Sequence, residues 1–190
     1  MQLARDLLPL RQCVIPSGDA VPVFARQGLL DWLSRPERFQ ITSHGTGGEI
    51  LAASEGALAD ARAVLRQAYG ELVGFGQVAV DCRTDPATGA SLVPIMFLRI
   101  DAPRRLAAWL VELLRRRAAQ VQDVEPQRER VVVRAEIALA QLLGLEQEVL
   151  AASDGAAQVL SWLLRYAPDP RGSARRGMPH EAVLRRVEAR

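Results

Sequence analysis

The side chains best suited to chemistry are few in this sequence. Cys13, Cys82, His44 and His180 make up its whole thiol and imidazole complement. They stand far apart with no Cys-x-x-Cys spacing, so they build neither a tetrahedral zinc site nor a Cys–His nucleophile pair. Cys13 and Cys82 are expected as buried, reduced thiols on adjacent strands. Gly45, Gly47 and Gly48 cluster between two strand patterns. A phosphate cradle needs such glycines between a strand and a helix, where backbone N–H groups converge on an anion. There is no Gly-x-x-x-x-Gly-Lys-Ser/Thr run, and no lysine to serve one. No catalytic residue, metal ligand or cofactor is expected, and the chain reads as a non-enzyme.

Arginine is the remaining functional side chain. All 24 basic residues are arginine, which suits planar recognition of phosphate but also follows from GC-rich codon choice. Arg115, Arg116 and Arg117 form the best cluster within a folded region. They are candidates for gripping nucleic-acid phosphate. The competing reading is a helix C-terminus, where cations complement the dipole and three successive residues cover different faces. Between Pro168 and Arg190 six arginines face only Asp169, Glu181 and Glu188. That tail, with Arg175 and Arg176, adds a nonspecific electrostatic footprint or remains a solvated extension.

With 49% apolar and 24% charged residues the composition is that of an ordinary globular protein. No apolar run is long enough to cross a bilayer. Arg5 and Asp6 interrupt the apolar start, which makes Met1 to Leu10 a poor signal peptide. A cytoplasmic protein with no membrane partner is expected.

The elements come in two copies of one pattern. Gln12 to Ile15 reads as a strand, and Phe24 to Ser34 as a helix. Arg38 to Ser43 and Glu49 to Ala53 form a hairpin around the glycine turn. Ser54 is placed to cap a helix through Leu58, Ala61, Leu65 and Tyr69, and Gly70 to stop it. Gln77 to Cys82 closes the unit. After a turn or linker, Leu92 to Ile100 is a strand. Leu106, Trp109, Leu110 and Leu113 follow at helical spacing after Pro103. Val121 to Val124 and Arg130 to Glu136 are strands, Ala138 to Leu150 a helix, and Gln158 to Tyr166 the last strand. Glu181 to Val187 has the pattern of a short helix. The fold class is α+β: two tandem ferredoxin-like βαββαβ domains, each a four-stranded sheet with two helices on one face. The expected divisions are a first unit over 1–83, a linker over 84–91, a second unit over 92–168 and an arginine-rich tail over 169–190.

Specific runs in the second unit resemble domain V of the elongation factor G family. These are Pro94-Ile95-Met96, Ala102-Pro103, Arg116-Arg117-Ala118 where the family has Arg-Arg-Gly, Ala138 to Gly144, Tyr166 and Pro170. The first unit resembles that family's domain III through Arg38 to Ser43, the glycine turn, Ile50-Leu51 and Leu65 to Gly70. The order of domains III and V without domain IV is similar to that of the LepA and BipA relatives. The GTPase domain of the family has no counterpart, so the resemblance implies no GTP binding. Val149-Leu150-Ala151 and Gly155-Ala156-Ala157 replace Leu-Arg-Ser and Gly-Arg-Gly of the family, a region associated with ribosome contact.

The resemblance implies that Met96, Leu98 and Ile100 face the helices. It sets Ile95 and Phe97 on the open face of the second sheet, together with Leu160, Trp162, Leu164 and Tyr166. A face this apolar is expected to be covered, by the first unit or by another protein. The implied function is a non-enzymatic, elongation-factor-G-like accessory protein associated with translation, with ribosomal RNA or protein as partner. The alternatives are a protein–protein interaction module that has kept the fold and lost the ribosome, or the detached C-terminal part of a split translational GTPase.

Overall fold

The computed structural model describes residues 7–24 and 26–168. The first sheet holds β1 (Leu10–Pro16), β2 (Phe39–His44), β3 (Gly47–Ala52) and β4 (Val73–Val80), in the order β2-β3-β1-β4. Each neighbouring pair is antiparallel, which is the split βαβ arrangement. Two short helices, α1 (Val21–Phe24) and α2 (Gln27–Leu33), stand where the periodicity predicts one. The second crossover is α3 (Glu55–Tyr69). Its cap is as expected: Ser54 Oγ accepts from the Ala57 N–H at 3.2 Å, and Gly70 ends the helix at φ 56°.

Strand alternation sends Leu10 and Val14 into this core with Phe24, Leu30, Phe39, Ile41, Ile50 and Leu65. Gln12 shares that face and is buried. Its amide is paired at both ends, donating to Gly76 O at 2.6 Å and accepting from Arg62 Nε at 2.7 Å. The glycine turn is explained by packing. A Cβ at Gly48 would come within 2.6 Å of the Phe24 ring, and one at Gly47 within 2.5 Å of Val14 O.

The second sheet holds β6 (Ser91–Pro103), β7 (Gln120–Pro126), β8 (Arg130–Ala138) and β9 (Gln158–Pro168). Its order is β9-β6-β8-β7, all antiparallel. The short β5 (Arg83–Thr84) pairs with Leu92 and Ser91 of β6, so the segment expected as a linker begins as a hairpin on the second sheet. The helices are α4 (Ala107–Arg116), α5 (Leu139–Leu142) and α6 (Leu145–Ala152). The one helix expected over Ala138 to Leu150 is thus two pieces, separated at Gly144, whose φ is 75°. Met96, Leu98, Ile100 and Ala102 meet Leu110, Leu113, Leu114, Leu139, Leu145 and Val149 in the core. Both units are therefore ferredoxin-like, as the sequence predicts.

The thiols depart from expectation. Cys13 and Cys82 are both exposed. Cys13 follows Gln12 and precedes Val14, so the strand's two-residue period turns it to the outer face. Cys82 lies beyond the end of β4. Their residue type favours burial, but the strand period decides it. Arg175, Arg176, His180 and the segment Glu181 to Val187 lie outside the described residues.

Candidate interaction surface

The open face of the second sheet is built from alternate residues of β6, β8 and β9. On β6 it presents Ile95, Phe97, Arg99 and Asp101, the residues between the core positions. Pairing sets Phe97 between Glu136 and Trp162, and Arg99 between Arg134 and Leu160. The Phe97 and Trp162 rings stack with centroids 4.5 Å apart and planes 28° from parallel, a geometry favoured for aromatic pairs. Trp162 remains 49% exposed, and Leu160 and Leu164 42% each.

The expected grouping is corrected at two points. A register shift between Ile95 and Met96 leaves Leu164 in a bulge, with Arg165 opposite Ile95 and Tyr166 opposite Pro94. Pro94 is buried on the helix side, so Tyr166 leaves the open face. Its ring lies beneath the Arg83 guanidinium at 3.9 Å, and burial raises the phenol above its ordinary pKa. Secondly, the first unit does not cover the open face. It meets the second unit elsewhere: Ser54 and Glu55 lie beside Met96, Leu139, Leu142, Leu143 and Glu146.

The charges on the open face are largely matched. Arg165 binds Glu136, Arg130 binds Asp101, and Arg134 holds both Asp123 and Glu125. The hydrogen bond from Arg165 pulls the Glu136 carboxyl below its ordinary range, and Glu136 in turn raises Arg165. Arg99 Nε is buried with no hydrogen-bond partner.

The three candidate arginines at the end of α4 separate into two kinds. Arg117 is a clamp: Nη1 donates to Gln141 O and Leu143 O at 2.8 Å each, and Nη2 reaches Glu148 Oε2 at 2.7 Å. Arg115 and Arg116 are exposed, and Arg115 makes only a loose 4.0 Å pair with Glu112. Ala118 then adopts φ 55°. Its N–H donates to Arg115 O at 3.0 Å, and the Ala119 N–H donates to Leu114 O at 2.9 Å. This is a Schellman close, normally built on glycine.

Among the described residues no group of three or more His, Cys, Asp or Glu could hold a metal. A depression beside Ile95, Gln120, Glu136 and Arg165 encloses about 130 Å³, below the roughly 300–1,000 Å³ of small-molecule sites. No helix of the described residues is long and apolar enough to cross a membrane.

Comparison with known proteins bears on the same half of the chain. Residues 92–175 match the family model described as "Elongation factor G C-terminus". No curated protein matches the sequence. A crystal structure of a protein from Thermus thermophilus superposes with a TM-score of 0.56 at 14% identity, covering 88% of this chain and 42% of that one. The chain therefore spans less than half of that protein's length, and at such identity the likeness is one of fold. Residues 92–175, which run from β6 onward, are thus similar to the C-terminus of elongation factor G, and a second ferredoxin-like unit precedes them.

Proposed function

We propose that this protein is a non-catalytic accessory factor of translation, acting in the cytoplasm by docking on the ribosome rather than by chemistry. The observation that carries the reading is the elongation factor G C-terminus match over residues 92–175, on a sheet of order β9-β6-β8-β7. The exposed end of α4 supports it. Arg115 and Arg116 are free of close ion pairs and offer phosphate contacts, whereas Arg117 is spent on the fold. The tail arginines Arg175 and Arg176 add long-range attraction. The two arginines that the resemblance implies around α6 are replaced, at Leu150 and Ala156, which leaves the contact to α4 and the tail.

Cosedimentation with purified ribosomal subunits at two salt concentrations tests this. The protein should pellet with subunits at both. Failure to pellet at the lower salt concentration would end the proposal, whereas weaker pelleting at the higher one is what phosphate contacts by Arg115 and Arg116 predict. A second reading, a protein-interaction module that has lost the ribosome, is favoured by one feature: the uncovered Phe97–Trp162 stack. A pull-down that recovers a stoichiometric protein partner and no ribosomal RNA would select it.

A further inference from the structure

The open face of the second sheet carries one unmatched charge. Its arginines are Arg99, Arg130, Arg134 and Arg165. Arg130 binds Asp101, Arg165 binds Glu136, and Arg134 holds Asp123 and Glu125. Arg99 has no carboxylate among the described residues, and its Nε is buried without a hydrogen-bond partner. Strand pairing sets it between Arg134 and Leu160. A like charge directly across the strands is unfavourable, and so is a buried donor left unpaired. Beside it, Trp162 and Leu160 are half-exposed. A cover for this face must therefore be apolar and must bring a carboxylate to Arg99.

That requirement sorts the occupants. A row of nucleic-acid phosphates finds no net positive charge here, because Asp101, Asp123, Glu125 and Glu136 lie among the arginines. A second copy brings a second Arg99 and no spare acid. The chain's own tail meets both conditions. β9 ends at Pro168, opposite Leu92, and residues 169–190, which lie outside the described residues, follow directly. In their sequence Val183, Leu184 and Val187 share one face at helical spacing, and Glu188, four residues after Leu184, borders it. The reach is sufficient. Leu160, the neighbour of Arg99, lies about 26 Å back along β9 from Pro168, at about 3.3 Å per residue. Residues 169–180 span up to about 40 Å when extended.

We propose that segment 181–188 folds back as an amphipathic helix onto the open face of the second sheet. Val183, Leu184 and Val187 lie over Leu160, Trp162 and the Phe97 ring, and Glu188 pairs with Arg99. The tail then sets access to the Phe97–Trp162 stack. The inference rests on the unmatched arginine and the sequence of the tail, not on the proposed ribosome role.

The test follows the indole N–H signals of Trp32, Trp109 and Trp162 in the nitrogen-15-labelled full-length protein, assigned through Trp32→Phe and Trp162→Phe. A neutral, water-soluble paramagnetic agent is added, and Trp32, 89% exposed, serves as the open reference. Trp162 should broaden far less than Trp32, equally at every protein concentration and after nuclease treatment. Leu184→Lys should raise the broadening of Trp162 toward that of Trp32 and leave Trp109 unchanged. Glu188→Arg should do the same, and adding Arg99→Glu to Glu188→Arg should restore the protection. Broadening of Trp162 to the level of Trp32 in the parent overturns the proposal. So does protection that falls away on dilution, as a second copy predicts, or on nuclease treatment, as bound RNA predicts. Protection that survives Leu184→Lys overturns it as well, and a double variant that stays open removes Glu188 as the partner of Arg99 and the charge argument with it.

Discussion

Glu55 and Gly144, 89 residues apart in sequence, are joined by a hydrogen bond: Glu55 Oε2 accepts from the Gly144 N–H at 2.8 Å. Glu55 is the first residue of α3 in the first unit, and Gly144 caps α6 in the second. One carboxylate thus serves the positive ends of two helices, and it ties the units together. Glu55→Ala should leave the Gly144 N–H without this partner and lower stability by about 1–2 kcal/mol. Glu55→Gln should lose less, because its amide oxygen still accepts. Urea unfolding of the three proteins checks this, and three coincident curves would show that the bond contributes nothing.

The arginine run at the end of α4 predicts a sharp asymmetry. Arg117 ties α4 to the α5–α6 connection through two carbonyls and Glu148. Arg117→Ala should cost about 1–3 kcal/mol. Arg115→Ala and Arg116→Ala should stay within about 0.5 kcal/mol of the parent, as exposed surface changes do. Equal losses at all three positions in chemical denaturation would contradict the assigned roles.

Ala118 holds a left-handed conformation at φ 55°, which costs an L-residue roughly 1–2 kcal/mol. Glycine adopts it freely, at some entropic cost in the unfolded chain. Ala118→Gly should therefore stabilise the protein by about 0.5–1 kcal/mol. A lower melting temperature for the variant would mean that the Ala118 methyl makes a packing contribution larger than the strain.

Acid should weaken the β8–β9 face. The hydrogen bond from Arg165 lowers the Glu136 carboxyl below its ordinary value of 4.5. A carboxyl depressed in the folded state contributes stability that is complete above the unfolded pKa. That contribution is lost as pH falls through the folded one. The parent should thus lose this stability below about pH 4.5, and Glu136→Gln should show a shallower acid dependence in that window. Parallel pH–stability curves for the two proteins would rule the linkage out.

Much of this architecture was legible in the sequence because its signals are local. Ser54 caps α3 and Gly70 stops it, while Met96, Leu98 and Ile100 alternate into the core as a strand with one dry face must. The absence of a lysine and of a phosphate loop is a property of composition alone. What was not legible depends on register and on tertiary contacts. The bulge at Leu164 turns Tyr166 to the helix side, and a single inserted residue leaves no periodic trace in so short a strand. Exposure of Cys13 follows from its place between Gln12 and Val14, a period that its residue type obscured. That Arg117 is a clamp while Arg115 and Arg116 are free depends on Gln141, Leu143 and Glu148, which only the fold brings near. The path of the first unit past the helix side of the second, leaving Trp162 uncovered, lies in the Glu55–Gly144 contact and in no local pattern.

The most direct test of the account is competition for the ribosome. Purified ribosomes carrying this protein would be challenged with excess elongation factor G, and the protein remaining in the pellet measured. Docking through an elongation factor G C-terminus-like domain predicts displacement, and an Arg115→Glu/Arg116→Glu variant that pellets poorly even without competitor. Undiminished binding alongside elongation factor G, or no pelleting at all, would contradict it.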